Sequence, residues 1–136
     1  YILGYALAGG GLTVAEGDDY AQPDVVLAGP DKIQGVAVQD GTVTLSQSYG
    51  RNNNAALLRY RLYLNETLDT VLTVNGRDVK AYVLDSRRQT EAVTAMPMTE
   101  ALADTPDGGI YVLFESGAAK YANGTHRTDR VWKIKF

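Results

Sequence analysis

DGTVTLSQSYG, residues 40–50, has a counterpart later in the chain in DGGIYVLFESGA, residues 107–118. Each stretch opens with an Asp-Gly pair, which is typical of a tight hairpin turn, and continues as a short strand. Another short strand precedes each pair, at 33–38 and at 99–104. The sequence therefore predicts two similar β-hairpins.

The match between the two stretches also predicts which side chains are buried. In our alignment Leu45 corresponds to Leu113, and Ser48 corresponds to Ser116. Equivalent positions in repeated sheets face equivalent neighbours, so we expect Leu45 and Leu113 to be buried alike. We also expect Trp132, on the last strand, to be buried between sheets.

Alternation of apolar and polar residues with a period of two predicts further strands. Ordered along the chain, the strands form a repeating unit, A to D: C at 2–7 and D at 25–28; then A at 33–38, B at 42–48, C at 57–64 and D at 79–85; then A at 99–104, B at 110–116 and C at 130–136. We expect at most one helical turn, at 90–96, which Pro97 would end.

Four-stranded antiparallel units in tandem are the sequence signature of a β-propeller. We therefore predict an all-β chain that forms a partial β-propeller of about two and a half blades. The single predicted domain, 1–136, comprises the end of one blade at 1–28, a complete blade at 33–85 and a last blade at 99–136. A β-sandwich is the alternative, because it also uses many short strands.

A propeller needs at least about four blades, so this chain would need partners to complete the ring. We expect these partners to be missing blades of a parent chain or another copy of the same chain. The apolar residues at the two ends of the chain would then need to be covered by such a partner: Tyr1, Leu3, Tyr5 and Leu7 at one end, and Trp132, Ile134 and Phe136 at the other. The chain starts at Tyr1, inside a predicted strand, and we expect a mature chain or a piece of a longer one.

The composition excludes several classes of function. Apolar residues make up 45% and charged residues 21% of the chain, as in ordinary globular proteins. The net charge of −3 argues against a nucleic-acid partner, because phosphate binding needs a basic surface. No apolar run approaches the roughly 20 residues of a transmembrane helix. The chain has no cysteine, which excludes disulfides and thiol chemistry.

Two stretches, IQGVAV…DGTVTLSQSYGRNN and MPMTEALAD…GGIYVLFESGAAKY…DRVWKIKF, carry a resemblance to a known group. They are similar to the C-terminal blades of secreted or surface-attached β-propeller proteins of Gram-positive bacteria, over about residues 24–136. The resemblance implies an extracellular or cell-surface location. We predict a non-catalytic binding or scaffold domain with no cofactor and with a ligand that the sequence does not specify.

A more distant resemblance, to lactonase-type and gluconolactonase-type propellers, implies an alternative function. In those propellers, acidic and amide side chains near the central channel bind a divalent metal. The alternative is a metal-dependent lactonase or esterase-type hydrolase with Ca²⁺ as a possible cofactor. This chain departs from their pattern, since Gln34 lies where such a strand would carry Glu.

Glu100 and Glu115 are the candidate catalytic and metal-binding residues under this alternative. They lie on successive predicted strands of one blade, among apolar neighbours. A carboxylate within such a strand is costly unless it is paired or binds a metal. One interpretation is a channel-facing pair that binds a metal or transfers protons. The other is that each carboxylate is tied to backbone amides or to an Arg and has a structural role.

The loop after residue 48 contains the candidate ligand-binding residues. Arg51 offers a planar set of donors that suits carboxylates and phosphates. Its asparagines could instead cap a turn with their own side chains. The equivalent loop of the next blade also carries one cation and one aromatic ring, which favours a shared surface. The complete candidate set is Tyr49, Arg51, Asn52, Asn53, Lys120 and Tyr121.

His126 is the only histidine, and it lies in a polar run at 123–128. A Ser-His-Asp triad would need this residue, but no Gly-x-Ser-x-Gly motif is present. A histidine-based hydrolase and a histidine-rich zinc site are therefore not expected.

Overall fold

The fold is all-β in the computed structural model, which describes residues 1–65 and 67–136. Within these residues the strands are β1 Ile2–Gly4, β2 Leu7–Ala8, β3 Gly11–Leu12, β4 Val25–Ala28, β5 Ile33–Gln39, β6 Thr42–Gln47, β7 Ala55–Arg61, β8 Thr70–Val74, β9 Arg77–Val83, β10 Gln89–Ala95, β11 Thr99–Asp104, β12 Ile110–Phe114 and β13 Trp132–Ile134. Two short 3₁₀ helices, Glu115–Gly117 and Ala119–Tyr121, follow β12. No helix in the described part of the chain has the length and apolar character needed to span a bilayer.

The chain divides into two compact units. Unit 1 comprises Tyr1–Gly29 and Leu64–Asp85, and unit 2 comprises Pro30–Tyr63 and Ser86–Phe136. Unit 1 contains a four-stranded sheet of order β1-β4-β9-β8 and a small β2–β3 ladder. In that sheet β4 pairs with β9 in parallel, and the other pairs are antiparallel. Val26, Val79 and Ala81 form its buried core.

Unit 2 contains two sheets that pack face to face. One is four-stranded and antiparallel, with the order β10-β7-β6-β5, and the other has the order β11-β12-β13. Alternate residues of β12 (Ile110, Val112 and Phe114) pack against Ala37 and Leu57 of the first sheet. This apolar layer, buried from water, is the main stabilising feature of unit 2.

A glycine permits the closest approach between these two sheets. A Cβ atom on Gly35 of β5 would overlap the carbonyl oxygen of Glu100 on β11. The same carbonyl accepts a hydrogen bond from Ser46 Oγ at 2.7 Å. β11 therefore lies directly on the backbone of β5 and β6, where only a residue without a side chain fits.

The first predicted hairpin forms as expected. Asp40 and Gly41 have φ values of 48° and 72°, which is the geometry of the two-residue hairpin turns that favour Asp-Gly. β6 is buried on both faces, since Val43, Thr44, Leu45 and Ser46 are each at most 1% exposed. The prediction that Leu45 is buried is confirmed.

The second hairpin forms at the expected place but in a different register. Its loop is longer, with Thr105 N donating to Gly109 O, so the strand starts one residue later than after Gly41. Leu113 is 48% exposed, and the prediction that it is buried is wrong. Counting from the Asp-Gly pair without a gap, Val112 corresponds to Leu45 and is buried. Leu113 corresponds instead to Ser46.

Trp132 is also more exposed than predicted. Its side chain is 43% exposed and makes an edge-to-face contact with Phe114, with 5.6 Å between the ring centroids. The reason is that β13 is a short edge strand, paired on one side only. The prediction that Trp132 is buried between sheets is therefore wrong.

In the four-stranded sheet of unit 2, the fourth strand is β10 (Gln89–Ala95). The D strand that the sequence predicted at 79–85 does not join this sheet. Most of that segment forms β9, which pairs with β4 and β8 in unit 1. Residues 90–96, where the sequence allowed at most one helical turn, form most of β10 instead. The sequences of both segments are compatible with a strand. Alternation with a period of two does not specify which partner a strand will pair with.

Candidate functional site

One surface pocket in unit 2 brings together the two loops that the sequence singled out. It has a volume of about 260 Å³. Its walls come from the loop after β6 and from the segment between β12 and β13. The lining residues are Arg51, Asn52, Met98, Ser116, Ala119, Lys120, Tyr121, Ala122, Asn123, Gly124, Thr125, His126 and Arg127.

Short-range hydrogen bonds position the second loop. β12 ends at Phe114, and the two 3₁₀ helices turn the chain back over the end of the sheet. Buried Ser116 accepts a hydrogen bond from Thr128 N through Oγ at 3.1 Å. A Cβ atom on Gly117 would lie 2.6 Å from Thr128 O, so a glycine is needed for the chain to pass this closely. These contacts hold the pocket segment 119–127 at both ends.

Tyr121 contacts both predicted cations. Arg51 Cζ lies 4.9 Å from the centroid of the Tyr121 ring, and Lys120 Nζ lies 4.7 Å from it. Such cation–π contacts contribute roughly 0.5–1 kcal/mol each at exposed sites. Four of the six ligand-binding candidates, Arg51, Asn52, Lys120 and Tyr121, therefore meet in one place.

The other two candidates lie outside the pocket lining. Asn53 Nδ2 donates a hydrogen bond to Tyr49 O at 3.2 Å, which closes the turn between them. This is the turn-capping role that the sequence offered as the alternative for these asparagines. In this structure Tyr49 and Asn53 shape the loop that carries Arg51.

Glu115 is bound to protein donors beside this pocket. Its Oε1 accepts hydrogen bonds from Lys120 Nζ and, at 3.3 Å, from Tyr121 Oη. The Lys120 hydrogen bond lowers the pKa of Glu115, and burial of its surroundings opposes this only in part. The same bond raises the pKa of Lys120.

Glu100 shifts in the opposite direction. Partial burial is the largest cause of its raised pKa, and the negative charge of Glu115 raises the pKa further. The positive charge of Lys120 lowers the pKa by a smaller amount. The two carboxylates are therefore close enough to interact, as the sequence suggested. They differ because Glu115 is hydrogen-bonded to Lys120, whereas Glu100 has no ion pair with any residue in the described ranges.

This arrangement does not fit a divalent metal. A Ca²⁺ site needs 6–8 oxygen ligands, usually with several carboxylates. In the described residues no group of three or more His, Cys, Asp or Glu side chains could hold a metal ion. Lys120 Nζ donates a hydrogen bond to Glu115 Oε1, and its positive charge would repel a metal ion at this carboxylate. The contacts of Glu115 are those of the structural interpretation, with Lys120 in place of the expected backbone amide or Arg.

Two of the lining residues, Met98 and Ser116, are buried. Met98 has a φ of 66°, a left-handed conformation that costs a non-glycine residue roughly 1–3 kcal/mol. Such strain clusters at binding sites, where the surrounding structure holds it in place. Ser116 forms no hydrogen bond with His126 in the part of the chain that the structure describes, so the two are not arranged as nucleophile and base.

Several lining residues were not anticipated from the sequence. His126, Arg127 and the stretch 123–125 were noted only as part of a polar run, and Met98 was not among the candidate residues. The available signal was Arg127 beside the only histidine, in the loop that follows Lys120 and Tyr121. Comparison of the chain with protein-family models, curated proteins and solved structures finds no match.

Proposed function

We propose that this chain is a non-catalytic ligand-binding domain and that the pocket in unit 2 is its binding site. The observation that carries the proposal is the convergence of Arg51, Asn52, Lys120 and Tyr121, from two distant loops, on one pocket whose lining includes the buried, strained Met98. Polar groups that converge in a concave site are the usual form of a small-molecule site. The resemblance to secreted or surface-attached proteins supports an extracellular or cell-surface location.

A blocking variant tests this proposal. Ala119 is exposed and lines the pocket, so Ala119→Trp should fill the pocket while leaving the fold intact. Ala118 is equally exposed but lies outside the lining, so Ala118→Trp is the matched control. The probes are a panel of neutral and charged monosaccharides and amino acids. Binding of each one is monitored through the amide chemical shifts of the protein.

We expect at least one panel member to shift the amides of 51–52 and 119–127. The shifts should disappear in Ala119→Trp and persist in Ala118→Trp. A panel that leaves these amides unchanged, or shifts that survive in Ala119→Trp, would refute the pocket as the binding site.

Calorimetry with Ca²⁺ separates this proposal from the hydrolase alternative. Because Glu115 is bound to Lys120 and Tyr121, we expect no tight Ca²⁺ binding by the parent chain. Tight binding that is lost in Glu115→Gln would favour the hydrolase instead.

We further propose that the sheets of unit 2 are blades of a propeller. Thr44 and Ser46 of β6 lie on the face that packs against the next sheet, with Ser46 bonded to Glu100. The equivalent residues of β12, Tyr111 and Leu113, are exposed. Burial of β6 on both faces is typical of a blade between two neighbours, whereas a two-sheet sandwich leaves its outer faces in water. The mixed sheet of unit 1 lends no such support, and a β-sandwich fits the packed pair of sheets equally.

Under this proposal another blade, from a parent chain or a second copy, covers Tyr111 and Leu113. The double variant Tyr111→Thr, Leu113→Ser gives β12 the hydroxyls that β6 carries at these positions. We expect light scattering to show association of the parent chain that the double variant weakens. Val38→Thr, at an exposed position of β5, is the control and should associate as the parent does. A parent chain that stays monomeric at tens of micromolar would contradict the proposed self-association.

A further inference from the structure

We infer that the pocket in unit 2 binds a ligand through an anionic oxygen group, that is, a carboxylate, sulfate or phosphate. This inference rests on the proposed function and specifies its ligand class. Three lining residues, Arg51, Lys120 and Arg127, carry positive charge, and no lining residue in the described chain is Asp or Glu. The chain as a whole has a net charge of −3, so the positive charge of the pocket lining is opposite in sign to the net charge of the chain.

Arg51 is prepared to receive such a group. Its Cζ lies 4.9 Å from the centroid of the Tyr121 ring, and this cation–π contact holds the guanidinium beside the pocket. None of its N–H groups donates a hydrogen bond to a residue that the structure describes, so these donors are left for a ligand. Arg51 makes no ion pair with any residue that the structure describes, and its side chain is exposed.

Lys120 and Arg127 differ in how far they are neutralised. Lys120 is paired with Glu115, so its charge is largely balanced. Arg127 is exposed and has no ion pair among the described residues. Arg51 and Arg127 are thus the two arginines of the pocket without an ion pair among the described residues, and both offer the planar donor set that matches carboxylate and phosphate oxygens.

The remaining lining residues limit the ligand to a small one. The volume of about 260 Å³ lies just below the range of about 300–1,000 Å³ of drug-sized sites. Asn52, Asn123 and Thr125 add neutral donors and acceptors around the cations. The pocket therefore suits a polar molecule of monosaccharide size with one anionic group, and the overall negative charge disfavours a long polyanion.

A matched pair of probes tests the charge requirement. Glucuronate and glucose share the same ring, and glucuronate carries a carboxylate where glucose carries a hydroxymethyl group. Inorganic phosphate serves as a third probe. Amide shifts are followed at constant ionic strength in the parent chain and in Arg51→Gln, Arg127→Gln and Arg130→Gln. Arg130 is exposed and lies outside the pocket lining, so Arg130→Gln is the control for charge alone.

We expect glucuronate and phosphate to shift the amides of 51–52 and 119–127, with glucuronate binding at least tenfold more tightly than glucose. Arg51→Gln and Arg127→Gln should each weaken glucuronate binding severalfold, and Arg130→Gln should leave it unchanged. Because Arg51 also contacts Tyr121, the Arg127→Gln result is the stricter test of direct binding.

The outcomes separate this inference from the proposed function. If glucose or another neutral panel member binds the pocket as tightly as glucuronate does, the anionic ligand class is wrong and the pocket remains a binding site. Equal weakening by Arg130→Gln would show a general charge effect and would also overturn the inference. If no probe of either kind shifts the pocket amides, both proposals fail.

Discussion

The hairpins β5–β6 and β11–β12 start from similar sequences, but their second strands lie in different surroundings. β6 is buried on both faces, whereas β12 buries Ile110, Val112 and Phe114 and exposes Tyr111 and Leu113. The side chains show the same contrast. β6 carries the small hydroxyl residues Thr44 and Ser46 at the positions where β12 carries the large side chains of Tyr111 and Leu113. The difference shows that burial of a strand depends on what packs against each face, which its own period of two does not specify.

The strongest test of this comparison exchanges one leucine on each strand for alanine. Leu45→Ala should lower the free energy of unfolding by about 3 kcal/mol, because it opens a cavity in a fully buried site. Leu113→Ala should cost less than about 1 kcal/mol, because half of that side chain is already in water. Urea unfolding followed by the fluorescence of Trp132, the only tryptophan, measures both. Equal losses would mean that the two strands are equivalent after all.

The contact between the hairpins can be broken at Gly35. Gly35→Ala should cost about 2 kcal/mol, because the added methyl group meets the rigid backbone carbonyl of Glu100. Val38→Ala, at an exposed position of the same strand, is the control and should cost less than about 0.5 kcal/mol. A neutral Gly35→Ala would show that β11 does not lie on β5 as described.

The edge of the second sheet should tolerate change better than its centre. Trp132→Ala should cost about 1 kcal/mol, mostly the edge-to-face contact with Phe114. Trp132→Phe should retain most of this contact. The measurement is urea unfolding followed by circular dichroism, since the variants lack tryptophan. A loss of about 3 kcal/mol or more would indicate that Trp132 is covered in solution.

The smallest effect concerns the carboxylates that distinguish the second hairpin. The first hairpin carries the uncharged Gln34 where β11 carries Glu100. The raised pKa of Glu100 means that the folded state holds its proton more tightly, so stability falls as the pH rises through and above the usual value of about 4.3. Glu100→Gln should therefore raise the urea midpoint slightly at pH 7, because solvent screens this partly exposed group, and should have no such effect near pH 3.

Glu115→Gln is the matched variant with the opposite sign. The lowered pKa of Glu115 means that its stabilising effect is present above its usual pKa and is lost as the pH falls through the lowered value. We expect a lower urea midpoint for this variant at pH 7 and a smaller difference in acid. Shifts of the same sign for both variants would contradict the different roles assigned to the two residues.

Much of unit 2 was predictable from the sequence, because its signals are local. β5, β6, β11 and β12 were expected within two residues of their observed bounds, and the Asp40-Gly41 turn was expected in its observed form. The repeated pattern of one cation and one aromatic ring offered a shared surface for Arg51, Lys120 and Tyr121 as one of two interpretations, beside an ordinary turn. The rest of the pocket, from Ser116 to Arg127, was not anticipated, because an irregular loop has no period.

The sequence by itself determined the all-β class, the position of most strands and the turn that joins β5 to β6. These features depend on alternation and on the φ preferences of Asp and Gly, which act over a few neighbouring residues. Only the tertiary structure decided that β10 completes the four-stranded sheet of unit 2, that Leu113 faces water and that Arg127 lines the pocket. Those outcomes depend on contacts between segments far apart in the chain. An alignment that treats Gly109 as an extra residue is enough to assign every side chain of β12 to the wrong face, because side chains alternate with a period of two.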